Sequence, residues 1–252
     1  MTVRHGHGAV SRPASSFPVA AASTALVDEH TGLQQVRIER HPVFGGQLFL
    51  DGDLQISESD SAYGIAMVSP LLGLVRLERV AILGGGDGGV LHELLRSLEP
   101  LGPVPRVTMI EIDGRVIELS RQYLPAVCAD AFERPQADIV VGDAFAWIEQ
   151  ARDLDAVIYD LTMEPVRDGQ SREAFIQEIL AKIARALRPG GVFSMQCCGH
   201  GRDDARDRAD RRALLPLIRE AVDAHFVERC EQDVLVPSYR DLWTFLSARK
   251  PR

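Results

Sequence analysis

From Val80 to Gly89 the chain reads VAILGGGDGG, an apolar run that passes directly into five glycines surrounding one aspartate. The apolar run suits a strand covered on both faces. Gly84, Gly86 and Gly89 stand at GxGxxG spacing, as a tight turn from such a strand into a helix requires. The same grammar recurs downstream. Strand-like runs at Val80–Gly84, Val107–Ile112, Asp138–Val141, Ala156–Leu161 and Val192–Gln196 alternate with amphipathic stretches after Gly88, Asp113, Ala144, Ser171 and Asp207. Two more strands fall near Phe226–Val236 and Leu242–Ala248. This alternation predicts an α/β, Rossmann-like fold of the methyltransferase type, a mostly parallel seven-stranded sheet with helices on both faces. Such a sheet holds its ligands beyond the carboxyl ends of its strands.

Upstream the pattern changes. Between Gln35 and Ile56 the runs QQVRIER and GQLFLDGDLQIS alternate apolar and polar residues around Pro42, Gly45 and Gly46, which predicts antiparallel strands joined by hairpins. A helix is expected over Tyr63–Leu74. The resulting division is a flexible segment over 1–25, a small β-strand domain over 26–72 and the Rossmann-like domain over 73–252.

Composition excludes several function classes. A net charge of −8 argues against nucleic-acid binding, which needs a basic surface to neutralise phosphates, and it favours cationic ligands. Cys128, Cys197, Cys198 and Cys230 form no CxxC pair and read as free thiols in a reducing cytoplasm. Cys197 and Cys198 with His200 do not read as a metal site, because neighbours on a strand point to opposite faces. The apolar stretch Phe17–Val27 is interrupted by Ser and Thr, unlike a secretion signal, and no run approaches the roughly 18 apolar residues that span a bilayer.

The glycine loop alone fits a dinucleotide oxidoreductase, a methyltransferase or an aminopropyltransferase. Asp87 narrows the choice, because a carboxylate inside the loop repels a pyrophosphate and attracts a cation. Its alternative role is to cap the following helix. Glu111, 22 residues after Gly89, stands where an acidic side chain hydrogen-bonds ribose hydroxyls. Asp143, in VVGDA, faces an adenine amino group or caps a helix. Asp160, in VIYDLT, lies at the centre of the same rim. Four unpaired carboxylates along one rim repel one another, so folding needs alone do not account for them.

With these motifs in place, the stretch from about Leu48 to Lys250 resembles the spermidine/spermine synthase family. LFLDGDLQISESDSAY is similar to the segment that closes over the nucleoside, GGGDGG to the family's glycine loop, MIEID to its ribose site and VPSYRDLWTF to its polyamine-binding tail. The resemblance implies that Gln55, Gly84, Gly86, Asp87, Glu111, Asp143 and Ala144 hold decarboxylated S-adenosylmethionine, a co-substrate rather than a tightly bound cofactor. It implies that Tyr63, Asp160 and Tyr239 orient the acceptor amine, with Asp160 as base, Asp87 holding the aminopropyl ammonium and Trp243 lining the acceptor's methylenes. The chain departs from the spermidine synthase wording in DLTMEP and in Gly64, where His or Gln is usual. With Asp241, these departures favour spermidine over putrescine as acceptor. The remaining alternatives are a methyltransferase using intact S-adenosylmethionine and a non-catalytic polyamine sensor. A homodimer is expected, paired through the edges of the small strand domain.

Overall fold

The two hydrophobic periods of the chain sort it into a four-stranded and a seven-stranded sheet in a computed structural model that describes residues 22–162, 164, 169–202 and 205–252. Most of the expected flexible segment 1–25, and Met163 and Pro165 of DLTMEP, lie outside the described residues.

Strands β1 (Thr24–His30), β2 (Gln35–His41), β3 (Gly45–Leu50) and β4 (Asp53–Ser57) form an antiparallel sheet in sequence order. Its alternation buries Val36, Ile38, Leu48 and Ile56 on the face turned to the rest of the core. The periodicity predicted strands only from Gln35. β1 escapes that reading because an edge strand in TALVDEH keeps most of its residues exposed and carries no clean alternation. Helix α1 (Ser61–Val68) stops short of the predicted Leu74, and the chain continues as a 3₁₀ turn over Ser69–Leu71 containing Pro70. Proline has no N–H to continue the α-helical ladder.

The larger unit runs β5 (Arg79–Gly84), α2 (Gly89–Leu98), β6 (Arg106–Glu111), α3 (Gly114–Tyr123), α4 (Pro125–Cys128), β7 (Ala137–Val141), α5 (Ala144–Gln150) and β8 (Leu154–Asp160). It continues through α6 (Arg172–Ala186), β9 (Leu187–Gly199), α7 (Ala205–His225), β10 (Val227–Val236) and β11 (Asp241–Arg249). The sheet order is β10-β11-β9-β8-β5-β6-β7, parallel from β9 to β7 with β11 and β10 antiparallel at one edge. This is the predicted α/β, mostly parallel seven-stranded architecture beside a small β-sheet.

Two apolar layers hold the sheet. One joins the four-stranded sheet, α1 and α2 through Leu48, Met67, Leu91 and Met109, and the other packs α5, α6 and α7 through Phe175, Ile179, Ile183 and Ile218. Each such fully buried side chain contributes about 1.5–3 kcal/mol relative to exposure. Registers Gly84↔Asp160 and Glu111↔Val141 bring the ends of β5, β8, β6 and β7 to one rim. Among the described residues no helix is long and apolar enough to cross a membrane.

Candidate active site

The turn after β5 folds as it does because glycine lets two neighbouring strand ends close on it. Gly84 has φ +84°, and a Cβ there would run into the carbonyl oxygen of Asp160. A Cβ on Gly86 would sit 2.8 Å from Glu111 Cγ. The loop thus draws Asp160 and Glu111 toward Asp87. Asp87 Oδ1 accepts from Gly89 N at 2.7 Å where α2 begins, so the capping alternative is realised by one carboxylate oxygen. Glu111 accepts from Gly86 N at 3.2 Å and Asp113 N at 2.9 Å.

Facing this rim, Tyr63 of α1 donates its hydroxyl to Asp160 Oδ1 at 2.6 Å, across 97 positions of sequence. The Tyr63 ring packs edge-on against Phe245 of β11, with centroids 5.2 Å apart. Tyr239, in the β10–β11 turn, donates to the backbone oxygen of Gln55 and tilts against Trp243 at 5.0 Å. Trp243 Nε1 donates to Gln196 Oε1 at 2.9 Å, and Gln196 Nε2 donates to Leu161 O at 2.9 Å.

These side chains enclose a cavity of about 610 Å³ between the strand ends and the small sheet. Gln55, Tyr63, Gly86, Asp87, Glu111, Asp160, Tyr239 and Trp243 all line it, while Gly84 lies beneath as backbone support. Asp143 and Ala144 are not in the wall. Asp143 is exposed and uses Oδ1 to accept from Phe145 N and Ala146 N, the cap of α5. Asp241 is likewise absent from the wall. Its Oδ2 takes Gly201 N at 2.6 Å and its Oδ1 takes Leu242 N at 2.9 Å, so the carboxylate secures a loop.

The reading of the chain missed five polar wall residues, Gln34, Asp53, Thr162, Gln196 and Asp207. Gln196 stands near the end of β9, and the strand-end rule already applied to Asp160 could have found it. Gln34 offers no such signal. It sits in the β1–β2 turn and donates to Asp113 Oδ2 at 3.0 Å, a contact made only when the small sheet docks. Asp60 has a bracing role: it accepts from Ser57 N at 2.8 Å and from Ser238 N at 3.0 Å, tying the approach to α1 to the turn that carries Tyr239.

The electrostatics are those of a site awaiting positive charge. Asp160 keeps some surface at the cavity wall, yet protein atoms crowd it enough for desolvation to dominate. Burial, followed by the charge of Asp87, pushes its pKa up to about 7 against the opposing Tyr63 hydrogen bond. Burial also raises Asp87 and Glu111, with backbone N–H groups opposing. Tyr63 and Tyr239 are raised by burial and by nearby carboxylates, so both stay neutral donors. Among the described residues no Lys or Arg forms an ion pair with Asp87, Glu111 or Asp160. Such a site can bind a cation through carboxylates and take a proton from it.

Residues 65–203 match the spermine/spermidine synthase domain. A polyamine aminopropyltransferase of Korarchaeum cryptofilum is 33% identical over 206 residues, 81% of this chain and 59% of that protein. Polyamine aminopropyltransferase 1 of Bacillus cereus is 37% identical over 180 residues, 70% of this chain and 62% of the relative. The chain therefore spans about three fifths of the length of the curated relatives it matches. A crystal structure of a spermidine synthase in complex with the transition-state analogue AdoDATO superposes with a TM-score of 0.73 at 25% identity, covering 90% of this chain and 72% of that one. With a family match across more than half its length and a shared architecture, the chain belongs to the spermine/spermidine synthase domain family.

Proposed function

We propose that the chain transfers an aminopropyl group from decarboxylated S-adenosylmethionine to a polyamine, releasing 5′-methylthioadenosine. The observation that carries this reading is the Tyr63–Asp160 pair, 2.6 Å apart, in a cavity it shares with Asp87, a carboxylate without a cationic partner among the described residues. The amine nitrogen attacks the carbon beside the sulfonium. The C–S bond breaks as the N–C bond forms, and the sulfur keeps the electron pair. The proton of the acceptor ammonium passes to Asp160.

The obstacle is that proton. An alkylammonium titrates near lysine, so its free base is scarce at pH 7 by roughly 4–5 kcal/mol. Delivering the proton to an ordinary aspartate is uphill by about 9 kcal/mol, and to a carboxyl near pH 7 by about 5 kcal/mol. The raised pKa of Asp160 thus removes close to half of the gap. A bound sulfonium draws the value down again, and desolvation of the attacking ammonium by Tyr63, Tyr239 and Trp243 works in the opposite direction. Asp87 holds the donor's ammonium, Glu111 its ribose, and Gln55 lines the nucleoside end. In this reading Asp143, whose Oδ1 caps α5, meets the adenine amino group.

The acceptor we favour is spermidine, giving spermine, although the AdoDATO-bound neighbour is named a spermidine synthase. The reading also keeps a homodimer, whose four-stranded sheet has β1 and β4 as its edges, and a cytoplasmic setting. The deciding experiment incubates the protein with decarboxylated S-adenosylmethionine and a panel of amines and identifies products by mass spectrometry, with calorimetry of the intact and decarboxylated donors alongside. Tighter binding of intact S-adenosylmethionine and methylated products would establish the methyltransferase alternative instead. Tight donor and amine binding without any product would establish a sensor.

A further inference from the structure

Asp60 stands at the N-cap position of α1, where an aspartate ordinarily accepts from N–H groups of the helix's first turn. Its side chain makes no such bond. It is 2% exposed and turns away from its own helix to other donors. Oδ1 accepts from Ser59 Oγ at 3.1 Å and from Ser238 N at 3.0 Å, while Oδ2 accepts from Ser57 N at 2.8 Å and from Ser238 Oγ. Ser238 lies 178 positions away, in the turn between β10 and β11.

Each end of this link carries a tyrosine of the cavity. Tyr63 N donates to Asp60 O at 2.9 Å, and the Tyr63 hydroxyl reaches Asp160. Tyr239, next to Ser238, lines the same cavity and donates to Gln55 O on β4, the strand that Ser57 ends. Asp60 does not line that cavity itself. Burial and then the charge of Asp60 raise the Tyr239 hydroxyl, which keeps it a donor.

The chemistry of the link calls for a carboxylate. Each of its oxygens takes one backbone N–H, Ser238 N on Oδ1 and Ser57 N on Oδ2. An amide has a single acceptor oxygen, so asparagine turned either way meets one of those N–H groups with its own NH2. Asparagine therefore keeps the shape and breaks the link.

Resting on the aminopropyl-transfer reading, we propose that Asp60 is a positioning residue for the transfer, latching the β10–β11 turn to the start of α1 so that Tyr63 and Tyr239 stand at a fixed spacing about the attacking nitrogen. Misplacement of such groups by about 1 Å can cost a reaction about 100-fold.

The test compares the wild type with Asp60→Asn, Ser238→Ala and the double variant, each at a temperature where it is folded. The readouts are kcat with decarboxylated S-adenosylmethionine and spermidine, and calorimetric affinity for 5′-methylthioadenosine and, in its saturating presence, for spermidine. In Asp60→Asn both kcat and spermidine affinity should fall at least about tenfold, with 5′-methylthioadenosine affinity held within about twofold. Ser238→Ala, which keeps the backbone link, should lose about threefold, and the double variant no more than Asp60→Asn, as two ends of one latch require. A lowered melting temperature with kcat and spermidine affinity unchanged makes Asp60 a structural brace only and overturns the proposal. An equal loss of 5′-methylthioadenosine affinity, or additive losses in the double variant, overturns it as well. Should Asp60→Asn not fold, an unchanged kcat in Ser238→Ala overturns it. A wild type that turns over no amine overturns the aminopropyl-transfer reading, and spermidine affinity then decides the latch; a wild type that neither turns over nor binds spermidine overturns both.

Discussion

Strand β8 carries an aspartate near each end, and the two live in opposite surroundings. Asp155, 1% exposed, accepts from Glu78 N and Arg79 N at 2.8 Å each and from the Arg188 guanidinium, with Arg76 at 3.9 Å. Burial pushes its pKa up, but these donors more than offset it and leave the carboxyl below the usual range. Asp160 meets a tyrosine hydroxyl, has two further carboxylates nearby and, among the described residues, no guanidinium partner, and its pKa climbs to about 7. One strand thus holds a carboxylate whose cationic partners are built into the fold and another that, among the described residues, has none. Residues organised for ligands are commonly left unsatisfied in the empty protein, at a cost in stability.

Four experiments can break or sharpen that contrast. The largest effect is expected of Asp160→Asn, which lowers turnover at least about 100-fold, near 3 kcal/mol of transition-state stabilisation, with the melting temperature unchanged or raised. A variant that keeps full turnover removes the base from the mechanism. At the other end of the strand, Asp155→Asn leaves Arg188 without its anion and costs about 2 kcal/mol. Calorimetric melting should drop by roughly 4–8 °C with kcat per folded molecule unaltered.

Tyr63→Phe removes the hydrogen bond that lowers the Asp160 pKa. A loss of about tenfold in kcat/KM is expected, with its acidic limb moved to higher pH. Asp87→Asn removes a charge that raises Asp160 and should move the same limb to lower pH; shifts in one direction for both variants would break the assignment.

The smallest effect is in the pH dependence of stability. Because the folded pKa of Asp160 lies above its unfolded value, the unfolded chain binds fewer protons there. That contribution is complete below about pH 4 and is lost as the pH rises through about 7. Asp155 has the opposite sign: its contribution is present above about pH 4 and is lost as acid protonates it. Melting temperatures of Asp160→Asn should therefore vary less with pH than wild type between about pH 4 and 7, and those of Asp155→Asn less below about pH 4.

Much of the fold was legible because it is written in local periods. The strand-to-glycine transition at Val80–Gly89 and the helix starts expected after Asp113, Ala144 and Ser171 depend on neighbours a few residues away, and Asp113, Asp143 and Ser171 each accept a hydrogen bond from the first turn of the helix they cap. The strand-end rule likewise placed Asp160 and Glu111 on one rim. β1 was not legible, since an exposed edge strand needs no apolar alternation.

The site divides along the same line. Residue type and strand position, both local, were enough to single out Asp87, Glu111 and Asp160. Whether a carboxylate is left open to a ligand depends on what approaches from elsewhere in the chain. Asp241 is drawn to Gly201 across 40 positions, Tyr63 to Asp160 across 97 and Tyr239 to Gln55 across 184. The sequence by itself determined which groups could carry the chemistry, because backbone periodicity and strand order are short-range properties. Only the tertiary structure decided which of them remain unsatisfied, because desolvation and hydrogen-bond partners are supplied by segments that meet on folding.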